Sequence, residues 1–245
     1  MKTIGLIGGM SWESSAEYYR IINQETKRRL GGQHNAKSIM VTVDFSEIEE
    51  LQRLGEWQQL ARIMADAARQ LQQGGADFIV LCTNTMHKLS AGIEAAVTIP
   101  LLHIVDATAR KLQAAGLQRV GLLGTRFTME ETFYRGRLEE RFGINVLIPD
   151  EEERKDVHRI IYDELCHGNV IDHSRVRYQE IIEGLKKKGA EAVILGCTEI
   201  MLLIKPQHSV LPVFDTTAIH AEYAVEMAVA AQDQPSEAKP IILTP

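Results

Sequence analysis

Gly75-Ala76-Asp77-Phe78-Ile79-Val80-Leu81-Cys82-Thr83-Asn84-Thr85 aligns without a gap on Gly189-Ala190-Glu191-Ala192-Val193-Ile194-Leu195-Gly196-Cys197-Thr198-Glu199. In both stretches a glycine turn leads into an apolar run with the length and composition of a buried strand. Each run ends in small sulfur- and hydroxyl-bearing residues. A repeated strand end of this kind points to one pocket shared by two halves of the chain. In this register Cys197 faces Thr83, while Cys82 falls opposite Gly196.

The repeat extends outward. Gln118-Arg119-Val120-Gly121-Leu122-Leu123-Gly124-Thr125 resembles Lys2-Thr3-Ile4-Gly5-Leu6-Ile7-Gly8-Gly9, and the interval from Gly5 to Gly121 nearly equals that from Thr83 to Cys197. Strands are expected at 3–7, 38–44, 77–81, 100–103, 118–124, 144–148, 192–195 and 210–214. Helices are expected at 14–30, 56–73, 84–96, 106–115, 129–142, 152–166, 172–188, after Glu199, and at 216–230. This alternation predicts an α/β fold with mainly parallel sheets and helices on both faces. Two similar domains facing each other across a cleft account for the duplication better than one long sheet. Ligands of such sheets bind beyond the carboxyl ends of the strands, where both repeated clusters lie. Residues 232–245 read as a flexible C-terminal tail.

The 245 residues are 45% apolar and 24% charged, with a formal net charge of −6 and no extended Lys/Arg tract, which argues against nucleic-acid binding. No apolar run is long enough for a membrane span, and the first residues read as a strand and not as a signal peptide; a cytoplasmic location is expected. Three cysteines make no disulfide framework and lack zinc-module spacing.

Cys197 follows a buried run, has Gly196 before it and precedes an expected helix start, a setting that favours thiolate. It is the candidate catalytic nucleus. Adjacent residues at a strand end point opposite ways, so Thr83 takes the cleft position and Cys82 is expected in the core. Cys166, near Gly168, is expected to serve packing or to lie on the surface. The Gly8-Gly9-Met10-Ser11 turn can offer the Met10 and Ser11 amides to a carboxylate, although the dinucleotide order G-x-G-x-x-G is absent. Asn84, Thr85, Thr125 and Thr198 are strand-end hydrogen-bonding groups suited to a carboxylate and an ammonium. Glu199 and Asp44 are candidates to salt-bridge an ammonium or to orient a neighbour, and Gln52, Arg53 and Lys205 to reach a side-chain carboxylate, the last three on charge alone. His87, one turn beyond Thr83, reads as structural. His103, His167 and His220 lack triad or metal spacing.

Taken together, Gly8-Gly9-Met10-Ser11-Trp12-Glu13-Ser14, Asn84-Thr85-Met86-His87 and Gly196-Cys197-Thr198-Glu199 resemble the aspartate/glutamate racemase family of cofactor-independent amino-acid racemases. The likeness runs over nearly all of residues 1–231. It implies two Rossmann-like three-layer domains related by a pseudo-twofold axis, commonly in a homodimer, with the last helix returning to the first domain. The resulting division is 1–102 plus 216–231, and 103–215. The resemblance implies interconversion of L- and D-aspartate or glutamate without pyridoxal phosphate or another cofactor, by two cysteines on opposite faces of the substrate. Cys197 matches the second cysteine, which attacks the L enantiomer in related enzymes. The first is replaced by Thr83, so the expected enzyme is asymmetric, with Cys197 as base and Thr83 as acid or water-holder on the other face. Two alternatives stand: a related cysteine isomerase such as a hydantoin racemase or maleate isomerase, and a non-catalytic protein that binds acidic amino acids.

Overall fold

The computed structural model describes residues 1–230; the expected tail at 232–245 lies outside the described residues. The chain runs β1 (Ile4–Gly8), α1 (Trp12–Leu30), β2 (Ser38–Thr42), α2 (Phe45–Leu54), α3 (Trp57–Gln73), β3 (Phe78–Leu81), α4 (Ser90–Ala96), β4 (Leu101–Leu102) and α5 (Ile104–Ala114). It continues through β5 (Arg119–Gly124), α6 (Arg126–Glu130), α7 (Thr132–Phe142), β6 (Asn145–Leu147), α8 (Glu151–Asp163), α9 (Asp172–Lys187), β7 (Ala192–Gly196), α10 (Ile200–Leu203), β8 (Val213–Asp215) and α11 (Thr216–Val229).

Two four-stranded sheets result, ordered β2-β1-β3-β4 and β6-β5-β7-β8, and every described pairing is parallel. The order is the same in both, as the duplicated sequence requires. In such an order the chain turns one way from the first strand and the other way from the third, which opens a crevice between their carboxyl ends. The loops after β1 and β3, and after β5 and β7, occupy those crevices.

Burial follows from all-apolar strands. β1, β3 and β7 are buried along their whole length, as strands covered by helices on both faces must be. On one face of the first sheet Leu60, Met64 and Leu71 of α3 pack over Ile7, Ile79 and Leu81. On the other, Tyr18 and Ile22 of α1 and Ala221, Ala224 and Val225 of α11 cover Ile4, Leu6 and Val80. The amide of Lys2 donates to Ala228 O at 2.9 Å, which ties the end of α11 to the chain entering β1, an inner strand of the first sheet. Ile104, Val105 and Leu112 of α5 join the core of the second sheet.

Glycine is obligatory where loop and strand crowd. Gly9 has φ +94°, and a Cβ there would stand 2.2 Å from Val43 O. A Cβ on Gly196 would meet Leu122 Cδ1 at 2.8 Å, so the residue before Cys197 must be small for β7 to lie against β5.

Three local expectations are corrected. The segment 84–96 opens with a 3₁₀ turn, Thr85–Leu89, before α4. The helix expected at 129–142 is two, α6 and α7, broken at Glu131, which adopts an extended conformation. Helix α2 was not anticipated, although its limits are written in the sequence: Asp44 Oδ1 accepts from the Ser46 amide, and Gly55 closes it with φ +75°.

Candidate active site

The loop after β7 carries Cys197, Thr198 and Glu199, and Glu199 organises it. Its Oε2 accepts from Cys197 Sγ at 3.0 Å and from Thr198 Oγ1 at 2.7 Å. Its Oε1 accepts from Ser11 Oγ at 3.0 Å and lies 2.6 Å from Ser14 Oγ. Ser14 Oγ also lies 2.7 Å from Thr198 Oγ1. Ser11 and Ser14 stand at the start of α1, so the first half of the chain supplies hydroxyls to a carboxylate of the second. Ser11 Oγ also accepts from the Ser14 amide as the cap of that helix.

The sequence expectation for the thiol is corrected here. α10 begins only at Ile200 and is a single turn, so little helix stands behind Cys197. Burial, reinforced by the Glu199 charge, pushes the Cys197 thiol well above its ordinary range. The resting group is a neutral thiol donating to a carboxylate.

At the end of β3 the surroundings are neutral. Thr83 O lies 2.8 Å from His87 Nδ1, and the amide of Ile104 donates to His87 Nε2 at 3.2 Å. Since Nε2 accepts, Nδ1 carries the hydrogen and donates to Thr83 O. Burial lowers His87 well below the usual histidine range, and the nearby His103 and His220 add to it. Asn84 Nδ2 donates to Thr216 Oγ1 at 3.0 Å, and Thr216 Oγ1 spends its one hydrogen on Leu195 O at 2.7 Å. That arrangement fixes the amide orientation and leaves Asn84 Oδ1, a buried acceptor, without a partner among the described residues. Thr85 Oγ1 and Thr125 Oγ1 meet at 3.0 Å across the two halves.

One cavity gathers these groups. Met10, Gln52, Thr83, Asn84, Thr85, Thr125, Cys197, Thr198 and Glu199 all line it. Of the residues singled out from the sequence, Ser11 stands behind the wall, hydrogen-bonded to Glu199. Cys82 is buried in the apolar core, as expected from the register. Asp44 caps α2; Arg53 and Lys205 line separate pockets.

The sequence reading missed other wall residues: Phe45, Ile161, Tyr162 and Cys166. Cys166 was expected to serve packing or the surface; a 3₁₀ turn at Leu165–His167, following α8, instead brings it to the cavity. Tyr162 OH donates to Gln52 Oε1 at 3.1 Å, joining α8 to α2 across the cleft. Gln52 Nε2 faces only the Met86 sulfur at 3.2 Å, a weak acceptor. No local pattern marks these residues; their place in the wall comes from where α2, α8 and the turn after α8 lie.

Known proteins share this architecture. The family model for Asp/Glu/hydantoin racemases matches residues 7–224. A solved structure of a Yersinia pestis protein assigned as an Asp/Glu racemase is 54% identical, with a TM-score of 0.88, covering 94% of this chain and all of that one, 100%. An aspartate racemase homologue from Pyrococcus horikoshii OT3 is 33% identical, with a TM-score of 0.80 over 93% of this chain and 99% of the other. The broad specificity amino-acid racemase RacX of Bacillus subtilis (strain 168) is 27% identical over 174 residues, 71% of this chain and 74% of RacX. With matched sheets, a shared cleft and this span of similarity, the chain belongs to the Asp/Glu/hydantoin racemase family of cofactor-independent isomerases.

Proposed function

We propose that the protein racemises aspartate and glutamate without pyridoxal phosphate, and acts preferentially on the L enantiomers. The observation that carries this reading is the meeting of Cys197 and Thr83 in one cavity, with Asn84 Oδ1 left as an unpaired buried acceptor. An α-ammonium is the donor that Asn84 lacks. Thr85, Thr125 and Thr198 offer hydroxyls to the α-carboxylate, with the Met10 turn beside them. The Gln52 amide N–H, held only by a thioether, suits the side-chain carboxylate. Ser11 acts through Glu199.

Arrival of a cationic ammonium favours the charged form of the neighbouring thiol. Cys197 passes its proton to Glu199 Oε2, and the thiolate removes the α-hydrogen from the L face. The Cα–H electron pair remains on carbon as a carbanion, and the new bond is S–H. A proton then reaches the opposite face from Thr83, reprotonated by solvent water in the same transfer, or from water held by it, and the proton on Glu199 is released to neutralise the hydroxide left behind. A threonine hydroxyl is too weak an acid to serve as a base near neutrality, so removal from the D face is slow. The overall equilibrium is unaffected; only the rates of exchange from each face differ.

The same reading divides the chain into 1–102 with 216–231, and 103–215. It is supported by the packing of α11 on α1 and of α5 into the second core. No helix of the described residues is long and apolar enough to cross a membrane. A cytoplasmic homodimer is the corresponding assembly, checked by sedimentation.

The test is NMR-monitored exchange of the α-proton in D₂O for both enantiomers of aspartate and glutamate. Exchange from the L forms, lost in Cys197→Ser, is expected; Thr83→Cys should add exchange from the D forms. Exchange with hydantoins or maleate isomerisation, and silence with all four amino acids, would transfer the reading to a related isomerase. Binding without exchange would leave a binding protein.

A further inference from the structure

The catalytic cavity offers about 30 Å³, room for roughly two waters and not for a dicarboxylic amino acid. A substrate of that size therefore requires the cavity to widen at one of its walls. Two outer pockets share lining residues with it.

The first, about 280 Å³, shares Gln52 and Tyr162 with the inner cavity and adds Arg53, Arg126, Glu49 and His158. Burial, with the nearby Arg126 charge, lowers the His158 pKa, so this imidazole is neutral at pH 7 and the arginines outnumber the single carboxylate. Neither guanidinium is committed. Among the described residues Arg53 has only Glu50 at 3.9 Å, between exposed side chains. Arg126 makes no ion pair among the described residues and lies beside the Phe127 ring. Gln52 and Tyr162 line both this pocket and the catalytic one. Their polar link is the hydrogen bond from Tyr162 OH to Gln52 Oε1, with the Tyr162 ring resting against His158 at 4.7 Å.

The second pocket, about 200 Å³, shares Thr198 and Glu199 and adds Glu13, Glu17 and Lys205. Its carboxylates, Glu13, Glu199 and the Arg20-paired Glu17, outnumber its single lysine, so of the two pockets it is the less favourable for an anion. It is also barred by the hydrogen bonds from Ser11 and Ser14 to Glu199. Opening it would dismantle the support of the catalytic thiol.

We propose that the Arg53/Arg126 pocket is the entrance for the substrate, where the two guanidiniums collect a dicarboxylic amino acid by its carboxylates before the Tyr162–Gln52 link parts to admit it. This rests on the reading of the protein as an acidic amino-acid racemase. Charge at the mouth of a cleft raises the association rate and makes it sensitive to salt. Because both arginines are exposed, their replacement leaves the core intact.

The experiment measures α-proton exchange of L-glutamate by the intact protein against substrate concentration at low and high ionic strength. Three variants are compared with wild type: Arg53→Gln with Arg126→Gln, Glu13→Gln with Glu17→Gln, and Tyr162→Phe. The arginine pair is expected to lose about tenfold in kcat/KM at low salt, with the loss absent from kcat and the salt dependence flattened. The acidic pair is expected to keep wild-type values. Tyr162→Phe, which keeps the ring and removes the link, is expected to raise kcat/KM with its salt dependence intact. A salt-sensitive, undiminished kcat/KM in the arginine pair, or an equal loss in the acidic pair, overturns the entrance and leaves the racemase reading standing. No increase in Tyr162→Phe overturns the role of the link. Absence of exchange from wild type with every acidic amino acid overturns both readings together.

Discussion

The two halves share one strand order, and their third strands end in aligned loops, yet the loops are backed differently. Behind Cys197 stands a carboxylate gripped by hydroxyls from both halves. Behind Thr83 stands a neutral histidine wedged between Thr83 O and the Ile104 amide. A carboxylate can take a thiol's proton; a neutral ring holding a backbone carbonyl can only fix position. Duplication supplied two equivalent places for a reacting group, and only one is furnished with a proton acceptor. The two aligned strand ends thus differ in their neighbours as well as in the residue itself: a carboxylate within hydrogen-bond reach of Cys197, and a neutral imidazole on the backbone of Thr83.

Removing the thiol is the severest way to break this asymmetry. Cys197→Ser should lower exchange from L-substrate by about 10³-fold or more, because a hydroxyl cannot replace the thiolate as base. Deuterium washout at Cα measures it; retained washout would refute the asymmetry at its root. Glu199→Gln tests the proton acceptor. It keeps the size of the side chain but cannot take up the Cys197 proton, and an expected loss of about 10²-fold in kcat should come with a changed pH profile. A loss confined to thermal stability, with the pH profile intact, would reduce Glu199 to a strut.

The Thr83 side has its own weakness, in acid. His87 touches His103 and His220, with ring centroids 4.6 and 5.8 Å away. His220 Nδ1 accepts from Tyr18 OH, so its Nε2–H donates to Leu102 O. Burial lowers His103 to about 3 and His220 to about 4. The unfolded chain binds these protons near pH 6.5, before the folded one does. The linked stability is therefore complete above pH 6.5 and is lost as pH falls toward 4, by on the order of several kcal/mol in all. Melting temperature measured from pH 7.5 to 4.5 should fall through that window. His220→Gln should make the fall shallower relative to its own value at pH 7.5; a parallel curve would remove His220 from the cause.

Much of this was legible in the sequence. Alternating apolar runs and glycine turns predicted the two parallel sheets, since a strand buried on both faces needs a short unbroken apolar stretch. The ungapped repeat, with side chains alternating along a strand, predicted Thr83 at the cleft and Cys82 in the core, and Thr83 lines the cavity with Cys197 while Cys82 is buried in the apolar core. Those rules are local, or local twice over. Helix α2, hidden by its polar composition, required attention to its caps at Asp44 and Gly55.

What the tertiary structure alone decided lies in the contacts between the halves. Ser11 and Ser14 meet Glu199, Tyr162 meets Gln52, and Cys166 turns into the cavity wall. The protonation of Cys197 belongs to the same class: the sequence suggested a helix start that would favour thiolate, and burial beside a carboxylate reversed it. Periodicity and turn residues specify how each segment folds and which face it buries. Desolvation, charge proximity and hydrogen bonds between distant segments depend on how the completed halves are placed, and that placement has no local signature in the chain.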